Sequence, residues 1–268
     1  MKDIAGAKVF CTLDLKSGYW QVRMKEQAKP YTAFSTHTGG TYQFKVMPFG
    51  LKGAPGTFVR LMSHEVLVGF INIFCSAYLD DILIFSENWN GHLYHLSLVL
   101  ERLSYYGLTC SPDKCRFGMT SLDSLRFTLT QTGNEVKLEY VQGIIQTPTP
   151  ATKRQLQSFI GTCNWLHEYV PHLASIMAPL TDVLRGKRSF RWSEAAQKAF
   201  ENIKEAFSRP LKLSRPTSEL SYILQTDASL RGMGIVLYQE PSPSQKKIIA
   251  YASAKFNEAV SRYHCNEQ

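Results

Sequence analysis

The sequence lacks long apolar runs and regularly spaced cysteines. Its most apolar stretch, residues 66–79, contains Asn72 and Ser76 and is shorter than the roughly 20 residues that cross a bilayer. The first residues do not have the layout of a signal peptide, and the six cysteines form no C-x-x-C pair. Free thiols are typical of reducing compartments. We therefore expect an intracellular protein, cytoplasmic or nuclear, with no membrane partner.

Acidic residues are also few. The 22 Asp and Glu residues are outnumbered by 30 Lys and Arg residues, which gives a net charge of +8. A basic chain favours polyanionic partners, so nucleic acid is the first candidate. His92 and His95 lie three apart on a predicted helix, but no Cys or carboxylate follows at the spacing of a metal site. We therefore predict that they are surface histidines.

One stretch, residues 76–85, places Asp80 and Asp81 between two apolar runs of β type. This pattern predicts a hairpin with both carboxylates at its tip. Adjacent carboxylates repel each other and lose hydration beside apolar strands, a cost that water, basic partners or a bound cation can relieve. Taken alone, the stretch fits a solvated turn as well as a metal site.

A strand predicted at residues 9–15 carries one further acid. Its period of two places Cys11, Leu13 and Leu15 on one face and Asp14 on the other. If this strand and the hairpin pair in one sheet, the three carboxylates converge. Oxygen ligands of this kind suit Mg2+.

The remaining pattern mixes strands and helices, as in an α+β protein. A second hairpin is predicted around Gly39–Gly40, and Thr152 and Ser193 are predicted helix N-caps. Apolar residues recur at helical spacing in four segments, 55–70, 93–103, 152–170 and 193–207. Beyond a polar connector at residues 209–217, the predicted domain boundary, three strands are followed by only a few residues. We expect a domain that is cut short.

Several motifs, in order along the chain, resemble those of reverse transcriptases, specifically those of gypsy-type LTR retrotransposons. Three belong to the polymerase: FCTLDLKSGY at 10–19, MPFGLKGAP at 47–55 and YLDD at 78–81. Residues 159–171 resemble the thumb and connection of that family, and residues 226–253 resemble the opening of its RNase H domain.

The resemblance implies a right-hand polymerase palm and thumb, an antiparallel sheet with packed helices, followed by an incomplete RNase H-like α/β domain. The implied division is a palm with partial fingers at 1–145, thumb and connection helices at 146–215, and the first part of the RNase H-like domain at 216–268. The implied activity is RNA-directed DNA polymerisation. The implied partners are an RNA or DNA template with its primer and a deoxynucleoside triphosphate.

The resemblance also implies roles for individual residues. Asp14, Asp80 and Asp81 are the catalytic carboxylates that hold two Mg2+ ions, with Mn2+ as a possible substitute. Tyr19 lies under the incoming sugar and excludes a 2′-hydroxyl. Phe49, Gly50 and Lys52 face the nucleotide and template. From the residues alone, an ordinary core aromatic at Tyr19 and a solvated lysine at Lys52 stay open as alternatives.

The sequence also departs from the family pattern. It begins just before the first palm strand, where relatives carry a fingers region upstream, and Arg126 stands where the family has a glycine in the turn that grips the primer end. Asp227 matches the first RNase H carboxylate, while the catalytic glutamate is either Glu267 or the residue after Gln268. The remaining aspartates are absent, so we expect no nuclease activity and regard Asp227 as a relic.

Two alternatives therefore stay open. The first is a catalytically inactive or domesticated fragment that only binds nucleic acid or a protein partner. The second is a structural domain whose double aspartate is only a turn. This second alternative would require the ordered motifs to be a coincidence.

Overall fold

The computed structural model describes residues 4, 6–124, 127–185, 190–217, 219–229, 232–243 and 245–256. The chain divides after Ser124 into two units, which are described separately. Arg126 and Glu267 lie outside the described residues. The predicted three-part division, with boundaries at 145 and 215, differs from this two-unit division and stays a prediction.

Within its described residues, the first unit contains seven strands and two α-helices. The strands are β1 (Val9–Asp14), β2 (Phe34–Ser35), β3 (Thr41–Tyr42), β4 (Cys75–Tyr78), β5 (Asp81–Ser86), β6 (Arg116–Met119) and β7 (Ser121–Ser124). The helices are α1 (Ala54–Leu61) and α2 (Trp89–Tyr105). Short 3-10 turns cover Gly18–Gln21, Glu26–Thr32 and Pro112–Lys114, and a π turn at Met62–Val66 continues α1.

The main sheet of this unit has the strand order β4-β5-β1-β6, and its pairs are antiparallel. Alternate residues of the two central strands, among them Leu13 and Ile82, point into a buried core with Phe58 of α1 and Leu103 of α2. Because Leu13 pairs with Ile82, the next pair in register is Asp14 with Asp81. The register of β1 against β5 thus places both acids at the same end of the sheet.

The described part of the second unit contains four α-helices and six strands. The helices are α3 (Leu138–Ile145), α4 (Lys153–Asn164), α5 (Leu173–Leu184) and α6 (Glu194–Ser208). The strands are β8 (Phe127–Thr130), β9 (Gly133–Val136), β10 (Lys212–Ser214), β11 (Ile223–Ser229), β12 (Gly232–Ser242) and β13 (Gln245–Lys255). Strands β11, β12 and β13 form an antiparallel sheet.

Local sequence signals explain how two of these helices begin. The Thr152 hydroxyl accepts a hydrogen bond from the Gln155 amide, and the Gln155 side chain accepts one from the Thr152 amide, which completes a capping box. The Ser193 hydroxyl accepts from the Ala196 amide at the start of α6. Both predicted N-caps are confirmed.

The prediction that His92 is a surface residue is wrong. Its side chain is buried; its Nε2 lies 2.8 Å from Cys11 Sγ and its Nδ1 3.0 Å from Ser86 Oγ. The helical period of α2 alone could not reveal these partners, because Cys11 lies 81 residues away. Among the described residues, no helix is both long and apolar enough to cross a membrane.

Candidate active site

The two aspartates occupy the tip of the β4–β5 hairpin, as predicted. Tyr78 pairs with Asp81, so Leu79 and Asp80 form the turn. Leu79 has a φ of 53°, in the left-handed region that costs an L-residue roughly 1–2 kcal/mol. Backbone strain of this kind is typical of functional sites, where the surrounding structure holds it in place.

The sheet brings all three predicted carboxylates to one end. Asp14 is the last residue of β1 and pairs with Asp81, the first residue of β5. The Leu15 amide donates a hydrogen bond of 2.9 Å to the carbonyl of Asp80. The turn and the end of β1 are therefore held together by the main chain, and the carboxylates do not depend on one another for their position.

Gly18 makes room for the Asp80 carboxylate. A Cβ at this position would lie 2.3 Å from Asp80 Oδ1 and 2.8 Å from the Cζ atom of buried Phe58. Asp80 Oδ1 is itself buried without a hydrogen-bond partner. A buried carboxylate oxygen without a partner is costly in the free protein, and a cation would relieve that cost.

The electrostatics of the site reflect this crowding. Burial raises the pKa of Asp80, and the charges of Asp14 and Asp81 raise it further. The Gly18 amide, which lies near the carboxylate without completing a hydrogen bond to Oδ1, and the charge of Lys114 lower it in part. Burial and Asp14 also raise the pKa of Asp81, and Lys114 again lowers it. Because the Asp81 side chain is exposed, water screens its charge more effectively than that of Asp80.

Lys114 is the cation of this cluster, and the sequence reasoning missed it. Its Nζ lies 3.6 Å from Asp14 Oδ1, and 69% of its side chain is exposed. Lys114 ends the 3-10 turn Pro112–Lys114, 100 residues after Asp14 along the chain. No local pattern signals a contact over that separation.

The donor set fits a divalent cation that is shared with a substrate. Within the described ranges, no three His, Cys, Asp or Glu side chains close around a single ion. Mg2+ in proteins commonly takes one or two carboxylates and completes its octahedron with substrate phosphates and water. The carboxylates and the partnerless Asp80 oxygen match this open kind of site better than a closed structural one.

An aromatic cluster lies next to the carboxylates. The ring of Tyr19, which is only 8% exposed, lies 5.2 Å from Phe49 and 5.3 Å from Phe58. Phe58 also lies beside Gly18, where Asp80 Oδ1 lies, so the cluster adjoins the acids. Burial raises the pKa of Tyr19, and the charge of Asp80 raises it further. Phe49 is half exposed and packs edge-on against Trp20, a neighbour that the motifs did not single out.

The other predicted residues lie in the loop before α1 or in the second unit. Gly50 has a φ of 91°, which explains the glycine, and Lys52 is exposed. Asp227 lies on β11 opposite Gly234 and is exposed. It belongs to no group of three metal-ligating side chains among the described residues.

Helix α4 of the second unit presents a polar face that the sequence reasoning did not identify. Its exposed residues recur at helical spacing along one side: Arg154, Gln157, Ser158, Gly161 and Thr162. The half-exposed Trp165 follows and stacks on Phe127, with ring centroids 5.2 Å apart. Apart from Arg154 the residues of this face are uncharged, and Ser158, Gly161 and Thr162 are small.

Two family profiles match the chain. The profile described as "Reverse transcriptase (RNA-dependent DNA polymerase)" matches residues 1–156. The profile described as "RNase H-like domain found in reverse transcriptase" matches residues 192–268. The matches are in the order that the motifs predicted.

Curated relatives are similar over nearly the whole chain. The enzymatic polyprotein of Cauliflower mosaic virus (strain Strasbourg) is 32% identical over 99% of this chain and 39% of the relative. The Pol polyproteins of the Drosophila melanogaster transposons opus and gypsy are 33% and 32% identical over 98% and 100% of this chain, which spans 27% and 26% of their lengths. The chain thus spans well under half of each relative.

Solved structures give the same result. The foamy viral protease-reverse transcriptase dRH in complex with double-stranded DNA matches 97% of this chain and 45% of that chain, with a TM-score of 0.83 and 26% identity. The foamy viral enzyme in complex with an RNA/DNA hybrid matches 98% of this chain and 36% of that chain, with a TM-score of 0.77 and 25% identity.

Proposed function

Because the chain belongs to the reverse transcriptase family, we propose that it carries the palm and thumb of an RNA-directed DNA polymerase of the gypsy type. In this proposal Asp14, Asp80 and Asp81 are the catalytic carboxylates. The observation that carries the proposal is the register of β1 against β5, which sets Asp14 opposite Asp81 beside the partnerless oxygen of Asp80.

The reaction would be attack of a primer 3′-hydroxyl on a deoxynucleoside triphosphate, with release of pyrophosphate. The three carboxylates would hold two Mg2+ ions, or Mn2+ in their place. When bound, such ions supply charge stabilisation for the attacking and leaving oxygens. The chain must keep Asp80 ionised despite its raised pKa, and Lys114 contributes by lowering that pKa.

Nucleotide selection would fall to the aromatic cluster. Tyr19 is fixed by Phe58 on one side and Phe49 on another, so its ring cannot easily move to admit a 2′-hydroxyl. The exposed Phe49, with Gly50 and Lys52, would face the nucleotide and template. A buried, packed ring is the arrangement that steric selection requires.

The template and primer would be bound by shape and by phosphate contacts, consistent with the net charge of +8. We assign the polar face of α4 to the duplex, because its small side chains allow close approach. In the same proposal, residues 1–145 are the palm with partial fingers, 146–215 the thumb and connection, and 216–268 part of an RNase H-like domain without nuclease activity.

The test is primer extension on an RNA template with Mg2+ and deoxynucleoside triphosphates. Asp14→Asn, and a double variant with Asp80→Asn and Asp81→Asn, should abolish extension while duplex binding is retained. Asp227→Asn is the matched control, since the same chemical change at an exposed β11 residue should leave extension unchanged. Extension that survives the double substitution would contradict the proposed site. Duplex binding without extension by the wild-type chain would instead favour the inactive fragment.

A further inference from the structure

A single amide side chain, that of Gln21, ties the turn after Asp14 to the segment that leads to Lys114. Its Nε2 donates to the carbonyls of Lys16 at 2.7 Å and Thr109 at 3.0 Å. Its Oε1 accepts from the amide of Thr109 at 2.7 Å and from the Thr109 hydroxyl at 3.2 Å. A glutamine has two donors and two acceptor lone pairs, and here all four are used.

The two segments that Gln21 bridges carry the charges of the site. The Lys16 amide donates to the carbonyl of Thr109 at 3.0 Å, and the Ser111 amide donates to the carbonyl of Asp14 at 2.8 Å. The 3-10 turn that follows brings Lys114 Nζ to 3.6 Å from Asp14 Oδ1. The Gln21 bridge therefore joins the segment that follows Asp14 to the segment that precedes the turn carrying Lys114.

We propose that Gln21 is a positioning residue that fixes Lys114 relative to Asp14, an inference that rests on the proposed function. Gln21 closes the 3-10 turn that contains Tyr19, so it holds the aromatic cluster in the same arrangement. It acts through the main chain, and its hydrogen bonds go to Lys16 and Thr109 and to none of the three carboxylates.

The chemistry of the bridge requires an amide of this length. A glutamate would turn a carboxylate toward the carbonyls of Lys16 and Thr109 and would have no hydrogen to donate to them. A methionine has nearly the same length and shape but forms none of the four strong hydrogen bonds. Comparing these two variants separates packing from hydrogen bonding.

The first test compares Gln21→Met and Gln21→Glu with Gln27→Met, a matched change at an exposed glutamine of the same unit. We expect Gln21→Met to lower kcat for primer extension roughly ten- to a hundredfold, because a shift of about 1 Å has an effect of that order, with little change in KM. Gln21→Glu should lose more, and Gln27→Met should behave as the wild type. Equal kcat values in all four proteins would overturn the inference.

The second test is a double-variant cycle with Lys114→Ala. If Gln21 acts by placing Lys114, Gln21→Met should have much less effect on kcat once Lys114 is absent, since residues that act together are not additive. Additive losses would contradict this role, because they would show that Gln21 acts independently of Lys114.

A third readout does not depend on activity. The Ser111 and Thr109 amides should exchange with deuterium markedly faster in Gln21→Met than in Gln27→Met, because the bridge that orders their segment is gone. If the wild type does not extend primers but this difference is seen, the proposed function fails while the bridge stands. Unchanged exchange would refute the bridge whatever the activity.

Discussion

Gly18 offers a direct test of whether the position of Asp80 determines activity. Its φ is not in the left-handed region, so alanine is compatible with the backbone and the only obstacle is space. The new Cβ would lie 2.3 Å from Asp80 Oδ1 and 2.8 Å from Phe58 Cζ. Gly18→Ala therefore pushes one carboxylate out of place without altering its charge.

The size of the effect follows from the contact distance. Ordinary van der Waals contact needs about 3.5 Å, so the carboxylate must move away by about 1 Å. A misplacement of that size at a reacting centre costs about 10²-fold in rate, or about 2.7 kcal/mol in the activation barrier. We expect kcat for primer extension to fall by about that factor, with duplex binding unchanged.

Gly56→Ala is the matched control. Gly56 lies within α1 with no atom near its missing Cβ, so alanine should stabilise the helix by about 1 kcal/mol and leave kcat unaltered. The thermal midpoint of Gly18→Ala shows whether any loss of activity reflects unfolding. A folded Gly18→Ala protein that extends primers at the wild-type rate would refute the claim that the space at Gly18 positions the Asp80 carboxylate.

A double variant separates the two contacts that the new Cβ would make. Adding Phe58→Leu to Gly18→Ala removes the aromatic Cζ but leaves the 2.3 Å approach to Asp80 Oδ1. We expect kcat of the double variant to lie as far below that of Phe58→Leu as kcat of Gly18→Ala lies below that of the wild type. Recovery would show that displacement of Phe58, with its neighbour Tyr19, causes the loss.

Three further predictions concern other parts of the first unit. Lys114→Met should raise the pKa of Asp80 and Asp81 further, because Lys114 lowers both; carboxyl NMR titration and an upward shift of the acidic limb of the pH–rate profile would show it. Tyr19→Ala should relax selection against ribonucleotides, measured as the ratio of kcat/KM for the two sugars, with unchanged selection contradicting the steric role. Burial, together with His95, lowers the pKa of His92. Its folded value therefore lies below its unfolded value of about 6.5, so stability in urea should fall as pH drops below that value, and His92→Gln should reduce this dependence.

The sequence predicted the parts of the site that depend on short-range pattern. The alternation of Cys11, Leu13 and Leu15 predicts which face of β1 is buried, and the apolar runs on either side of Asp80 and Asp81 predict the hairpin that carries them. Thr152 and Ser193 are N-caps for a local reason, a hydroxyl within reach of an amide three residues later. Contacts of this length can be seen in the sequence itself.

The parts that could not be predicted depend on distant contacts. Gln21 binds Thr109 across 88 residues, and His92 binds Cys11 across 81. No short-range repeat in the sequence indicates either contact. In addition, a polar residue on an amphipathic helix such as α2 is ordinarily solvent-exposed. Helix α3 has no counterpart among the predicted elements, because its first residue follows strand β9 almost at once and its apolar residues continue the β-like run.

The charges of the site explain why ion and substrate binding should be coupled in the proposed polymerase. In the free chain, Asp80 and Asp81 have raised pKa values and Asp80 Oδ1 lacks a partner, so ionising the site is costly. Among the described residues, the carboxylates alone do not form a complete ligand set for an ion, and Lys114, which is itself a cation beside Asp14, has no lone pair to add to that set. Oxygens from a triphosphate would complete that set, and each bound ion would in turn lower the pKa of the carboxylates. Cation and nucleotide should therefore bind more tightly together than separately, by the same factor for each.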